Sequence, residues 1–316
     1  MTEAARDRVL VTGGAGFVGS RVVEMLAGTG RAVRAVDVVE NARSEAMASY
    51  PDVEFERADL RDRGAVDRLL EGVSHVLHLA AVRSRSSDSN PRLSHEVNVD
   101  ATYDLIAGSA RHGVDRFVFG SSHTVYGAFA DPDRYPYRET ETGGSGRGLS
   151  LYAATKLAAE AYLEAFAGAG GATYLSLRFG TIYGPRVAEG SNNATMLDVL
   201  RALDEHSTPT VPWTRDSRHG LVHVDDVALA CVRALESVRT GLAVNVVGEP
   251  VTAERIYTTL VRLRGGDPET IVWHDTRARY QAADRTRMQQ VLCMGDGVPL
   301  EQGLRSVIEW YYSSKQ

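Results

Sequence analysis

Along the first half of the chain, hydrophobic residues fall alternately into short unbroken runs and into stretches spaced three and four apart. The short runs are Val9–Thr12, Val33–Asp37, Val53–Phe55, Val76–Ala80, Phe117–Phe119 and Tyr174–Arg178, rich in β-branched and aromatic residues. Several are apolar on both faces, which predicts strands covered by helices on either side. Between them Phe17–Leu26, Ala65–Leu70 and Asn98–Arg111 repeat at the helical period. Strand and helix in alternation require crossover connections, so the predicted class is α/β, a doubly wound parallel sheet of six or seven strands. After Arg178 the regularity declines into loops, short helices and one more strand, Ala243–Val247, preceded by a helical run from Asp225 to Ser237. The expected organisation is a first domain over residues 1–180, to which 221–248 returns, and a smaller C-terminal region over 181–316. No internal repeat is present. The glycine-rich segment Gly143–Gly148 is too short for a linker and reads as a mobile loop at the active site.

Composition narrows the function classes. The 316 residues are 43% hydrophobic and 24% charged, with a formal net charge of -6 that opposes non-specific binding to nucleic acid or to an anionic membrane. An anionic substrate therefore needs a local basic pocket. Cys231 and Cys293 are too few for a disulfide framework and lack metal-ligand spacing, so neither a metal nor an oxidising compartment is expected. Met1–Arg8 is polar, and no apolar run approaches membrane-spanning length, so a cytoplasmic location is expected.

The join of the first strand and first helix reads Thr-Gly-Gly-Ala-Gly-Phe-Val-Gly over Thr12–Gly19. Gly13, Gly16 and Gly19 permit a tight turn, close backbone approach to a pyrophosphate and close packing of helix on sheet, while Phe17 and Val18 open the helix whose unpaired N–H groups face the phosphates. Asp37 closes the second strand, where a carboxylate accepts hydrogen bonds from the adenosine ribose and repels a 2′-phosphate. That favours NAD, although Arg43 nearby suits the extra phosphate of NADP. Asp59 and Leu60 follow the third strand, and Leu79, Ala80 and Ala81 the fourth, as further cofactor contacts.

Tyr152 and Lys156 stand four apart in a helical stretch and so share a face. A phenol titrates near about 10, and an adjacent ammonium together with a nicotinamide cation is expected to lower it, making Tyr152 a general base. Ser122 follows a predicted strand on the same carboxyl edge of the sheet, where ligands of open α/β folds bind.

Gly13–Gly19, Asp37, Ser122, Tyr152 and Lys156, with Leu177–Arg186 and Leu221–Val227, resemble the extended short-chain dehydrogenase/reductase family of nucleotide-sugar epimerases, dehydratases and reductases. The similarity runs from Arg8 to Tyr311. It implies a Rossmann fold with bound NAD, contacted also by Asn98, Tyr152 and Lys156. It further implies that Tyr152 is the base, that Lys156 holds the nicotinamide ribose and lowers the tyrosine pKa, and that Ser122 hydrogen-bonds the reacting hydroxyl. A homodimer through Asn98–Arg111 and Tyr152–Ala165 is implied as well.

Within that family, 4,6-dehydratases carry Asp and Glu immediately after the position of Ser122, whereas this chain has His123 and Thr124. The Ser-Ser-x-Thr-Val-Tyr-Gly form resembles the 4-epimerases, which oxidise a sugar carbon to a ketone and return the hydride to the other face. Thr181 replaces the Asn usual in epimerases, and Trp213–Gly220 departs from the usual Gly-Asp-Gly and Arg-Asp pattern. Arg83, His123, Thr124, Thr181, Arg186 and Arg218 are the expected substrate contacts, with Arg215 and His219 as further candidates for the pyrophosphate. Arg178 and Tyr183 are expected near the mouth of the substrate site, with Val222–Val227 beneath it, although an Arg at a strand end serves equally well as half of a structural pair. His123 is either an extra proton donor to a ketone or a packing residue. A keto-sugar reductase or dehydrogenase remains an alternative, as does a non-catalytic dinucleotide sensor.

Overall fold

In the computed structural model, which describes residues 8–128, 134–141, 148–187, 194–274 and 278–315, the chain opens with β1 (Arg8–Thr12). Its side chains alternate between two buried environments. Val9 and Val11 pack with α1 (Phe17–Leu26), and Leu10 packs on the opposite face. The following elements are β2 (Ala32–Asp37), α2 (Ala42–Met47), β3 (Val53–Arg57), α3 (Arg63–Leu70), β4 (Val73–His78), α4 (Ser84–Ser89) and α5 (Pro91–His95). After a π-helical turn over Glu96–Ala101 come α6 (Thr102–His112), β5 (Arg116–Ser122), α7 (Leu151–Gly168) and β6 (Thr173–Phe179). The fourth strand thus begins and ends earlier than the hydrophobic run suggested. Leu79–Ala81 leave the ladder, because Thr12 Oγ1 accepts from Leu79 N at 3.1 Å and Ala80 N at 3.2 Å and turns the chain.

The chain continues through β7 (Thr181–Tyr183), α8 (Ala194–Asp204), β8 (Thr210–Val211), β9 (Arg218–His223), α9 (Val224–Glu236), β10 (Leu242–Val246) and β11 (Pro250–Thr252). It ends with α10 (Ala253–Leu263), β12 (Val272–Trp273), β13 (Tyr280–Gln281), α11 (Thr286–Leu292) and α12 (Leu300–Ser313). The main sheet has seven strands in the order β10-β6-β5-β4-β1-β2-β3, every neighbouring pair parallel. Helices α1 and α9 cover one face through Val22, Val23, Val227 and Ala234. The other face lies under α3, α6 and α7 through Leu69, Leu70, Leu105, Ile106 and Leu163. Each of these Val, Leu and Ile side chains contributes about 1.5–3 kcal/mol on burial, which fixes the layers.

The second half holds more strands than the one expected. β7, β9, β11 and β13 make a four-stranded sheet and β8 pairs with β12, around a separate apolar cluster that includes Leu200, Leu260 and Leu304. These strands are two to six residues long, too short for a period of two to declare itself. Of the anticipated loop, residues 143–147 lie outside those described.

Candidate active site

At the carboxyl ends of β1, β2, β4 and β5 a cavity of about 790 Å³ opens, lined by side chains from both halves of the chain. Gly13 forms one wall. Its φ of +69° is left-handed, and a Cβ there would lie 2.8 Å from Ala80 N, so this position accepts only glycine without distortion. The N-terminus of α1 has no side-chain cap, leaving its first N–H groups for a ligand. Gly16, Phe17 and Val18 line the cavity there, with Asp37, Asp59, Leu60, Leu79, Ala80 and Ala81 at the successive strand ends. Asp37 accepts from Ala15 N at 3.2 Å and from Val39 N at 3.3 Å, while burial raises its pKa against these bonds. Asp59 is held below the usual carboxylate range by the Arg61 guanidinium at 2.6 Å.

Ser122, Tyr152 and Lys156 line the same cavity. Ser122 ends β5, and its Oγ accepts from Thr124 N at 3.2 Å and Thr124 Oγ1 at 3.0 Å. Ser150 caps α7, accepting from Ala153 N, which places Tyr152 and Lys156 in the first two turns. Lys156 Nζ lies 5.6 Å from the centre of the Tyr152 ring and donates to Gly120 O at 2.7 Å. Burial pulls the lysine pKa down to about 7 against the pull of Glu160. The phenol departs from expectation in the protein alone. Burial pushes Tyr152 up to about 12, and the charge of Arg83 is the influence that lowers it.

A family model described as the NAD dependent epimerase/dehydratase family matches residues 9–248. The chain belongs to this family. A UDP-glucose 4-epimerase of Mycolicibacterium smegmatis is 30% identical, over 98% of this chain and 100% of the relative. A dTDP-glucose 4,6-dehydratase of Streptomyces griseus is also 30% identical, over 97% of this chain and 94% of its own length. Among solved structures, a UDP-glucose 4-epimerase of Thermus thermophilus in complex with NAD superposes with a TM-score of 0.81 at 28% identity, covering 97% of this chain and 99% of that one.

Other expected contacts of this family member separate into two groups. Arg83, His123, Thr124 and Thr181 line the cavity. His123 is buried and pushed down to about 4, with the Gln281 backbone as its hydrogen-bond partner, so it is a neutral imidazole at pH 7. Arg186 and Arg218 do not line the cavity. Arg186 instead donates to Glu24 at 2.6 Å, and Arg218 is exposed on β9. Arg215 pairs with Glu254 at 2.8 Å, and His219 is buried against Trp213. Arg178 and Tyr183 are not at the mouth either, being 3% and 2% exposed, because each fills the interior behind the strand ends. Asn98 also stands back from the cavity. Its side chain accepts from Val82 N at 2.7 Å and donates to Val82 O at 2.9 Å, bracing a residue that does line it. Sequence reasoning missed Val38, Val39 and Asn41 on the wall; the sign was an exposed Val-Val pair, 50% and 53% accessible, directly after the strand-end acid.

Proposed function

We propose that this protein is a NAD-dependent nucleotide-sugar 4-epimerase. The observation that carries the reading is the convergence of Ser122, Tyr152 and Lys156 on one cavity with the glycine turn and Asp37. Gly13, Gly16, the start of α1 and Asp37 fit a dinucleotide and would hold NAD, which would supply reversible hydride chemistry at C4 of the sugar. Tyr152 takes the hydroxyl proton and gives it back, Ser122 hydrogen-bonds the same oxygen, and Lys156 holds charge beside the phenol. The described carboxylates lining the cavity are Asp37 and Asp59, at the ends of β2 and β3 and away from Ser122. Water elimination by an acid pair beside Ser122 is therefore disfavoured. Arg83, His123, Thr124 and Thr181 would contact the sugar.

A cytoplasmic homodimer completes the proposal. No described helix is long and apolar enough to cross a membrane. On α6, Tyr103 is 40% exposed and packs edge-on against Tyr162 and Phe166 of α7, an aromatic face suited to a second copy.

The test is incubation of UDP- and dTDP-hexoses with the protein and NAD in deuterated water, followed by proton NMR at C4. Interconversion of C4 epimers without net NADH and without deuterium at C4 is expected. Stoichiometric NADH would select a dehydrogenase, and NAD binding without turnover a sensor.

A further inference from the structure

β5, β6 and β10 stand side by side, and their register brings Ser121, Arg178 and Asn245 into one row across the three strands. Residues paired in this way point to the same face, so three polar side chains share one interior line. A row of that kind is costly to bury unless each member is paired. Glu160 of α7 meets it. Its Oε1 accepts from Ser121 Oγ at 2.6 Å and Arg178 Nε at 3.0 Å, and its Oε2 accepts from Arg178 Nη2 at 2.7 Å. Arg178 Nη1 donates to Glu139 O at 2.9 Å and to Tyr126 OH at 3.2 Å, and Tyr126 OH donates to Asn245 Oδ1 at 2.5 Å. The Arg178 and Glu160 side chains are only 3% and 13% exposed.

Glu160 follows Lys156 by one helical turn, and Lys156 already reaches the carbonyl of Gly120, the residue before Ser121. Helix α7 is thus fastened to β5 at two successive points, both beside Ser122. A slip of α7 along β5 would change the spacing of Tyr152 from Ser122, to which such chemistry is sensitive at the ångström scale. We propose that Glu160 is a positioning residue of the reaction: through Ser121 and Arg178 it holds Tyr152 and Lys156 in register with Ser122 and supplies the counter-charge of the Lys156 ammonium. The other groups around Lys156 do not offer that charge. His78 on β4, which feels the Lys156 charge, is kept neutral by burial; Tyr152 on α7, whose ring centre lies 5.6 Å from Lys156 Nζ, is a neutral phenol; and Arg178 on β6, the ion-pair partner of Glu160, is cationic.

The proposal uses the epimerase reading only for its turnover assay. A second readout needs none, because the chain contains just two lysines, Lys156 and Lys315. In protein labelled with ¹³C-lysine, the Lys156 signal is expected to titrate near pH 7 and that of Lys315 near 12. Glu160→Gln should move the Lys156 titration to lower pH and, if the protein epimerises, lower kcat about tenfold with KM little changed. Ser121→Ala keeps the carboxylate, so it should lower kcat less and leave the lysine titration in place. If Glu160→Gln does not fold, because Arg178 is left buried without its counter-charge, the double variant Glu160→Gln/Arg178→Gln is compared with Arg178→Gln, which lacks the same cation and keeps the carboxylate; the Lys156 titration should lie lower in the double variant, and its kcat about tenfold below that of the wild type. An inactive wild type would remove the epimerase reading while the lysine titration still decides this one. An unmoved Lys156 titration overturns the counter-charge role, and wild-type kcat in folded Ser121→Ala and Glu160 variants overturns the positioning role.

Discussion

At the scale of single residues, the site separates groups that carry charge from groups that only donate or accept hydrogen bonds. Tyr152 is the group assigned the proton transfer, and Tyr152→Phe leaves the ring's packing intact while deleting that transfer. Turnover should fall by about a hundredfold to ten-thousandfold with substrate binding little affected, since the interaction strengthens in the transition state. Full activity in this variant, measured by steady-state epimerisation, would discard the mechanism. The phenol, pushed up to about 12 in the protein alone, should remain protonated well past its ordinary range. A cationic nicotinamide beside it favours the phenolate. Tyrosinate absorbance, compared between the wild type and Tyr152→Phe, should therefore rise at lower pH with NAD than without it; identical curves would separate Tyr152 from the cofactor. In the proposed function the choice of cofactor falls to Asp37, because burial already disfavours its charge and a 2′-phosphate would add repulsion. NAD should bind more tightly than NADP in parallel titrations. The reverse order would transfer the ribose contact to Arg43, which lines the same cavity.

At the scale of elements, the join of β1 and α1 has the narrowest tolerance. A Cβ on Gly19 would lie 2.1 Å from the carbonyl oxygen of Gly13, a contact relieved only by lifting α1 off the turn. Gly19→Ala should cost about 1–3 kcal/mol of stability as overpacking does, and should weaken NAD binding more than it lowers the melting temperature. Unaltered NAD affinity in a folded variant would mean the turn does not cradle the pyrophosphate. This element was legible in the sequence because glycine spacing, strand and helix all agreed within a dozen residues, and Ser122, Tyr152 and Lys156 were legible because each sits at a fixed offset from such an element. The ladder from β1 to β6 could be read for the same reason, since strands buried on both faces give unbroken apolar runs. The short strands after Phe179 could not, and neither could the fates of Arg178, Arg186 and Arg218. An Arg looks the same in sequence whether it meets a phosphate, Glu24 or a buried Glu160, and only the tertiary neighbour decides. The π-helical turn that carries Asn98 was hidden likewise, because one inserted residue leaves the apolar period nearly unchanged.

At the scale of the whole molecule, burial of imidazoles sets how stability responds to acid. His78 bridges Thr12 and Thr102, at 2.6 and 2.9 Å, and is pushed down to about 3 by burial and then by the charge of Lys156. Burial takes His123 and His219 down to about 4, and lowers His223 as well. Each of these folded-state values lies below the ordinary 6.5, so between 6.5 and 4 the unfolded chain binds protons that the native protein refuses. Their contribution to stability is therefore complete above pH 6.5 and is lost as pH falls through that window. With about three protons taken up on unfolding near pH 5, the slope approaches about 4 kcal/mol per pH unit. Asp37, Glu139 and Asp226 work in the opposite sense, since burial raises their pKa values and the native state then takes up protons more readily. They act where carboxylates titrate, below the upper part of the histidine window. The urea midpoint should thus fall steeply from pH 6.5 to 5 and more gently below. Replacing His219 with Gln, which cannot take up a proton, should flatten the upper slope by about one third. A midpoint that stays level between pH 7 and 5 would mean that these imidazoles are hydrated and titrate normally in the folded protein, and it would also make His123, in the cavity wall, a charged group near pH 6.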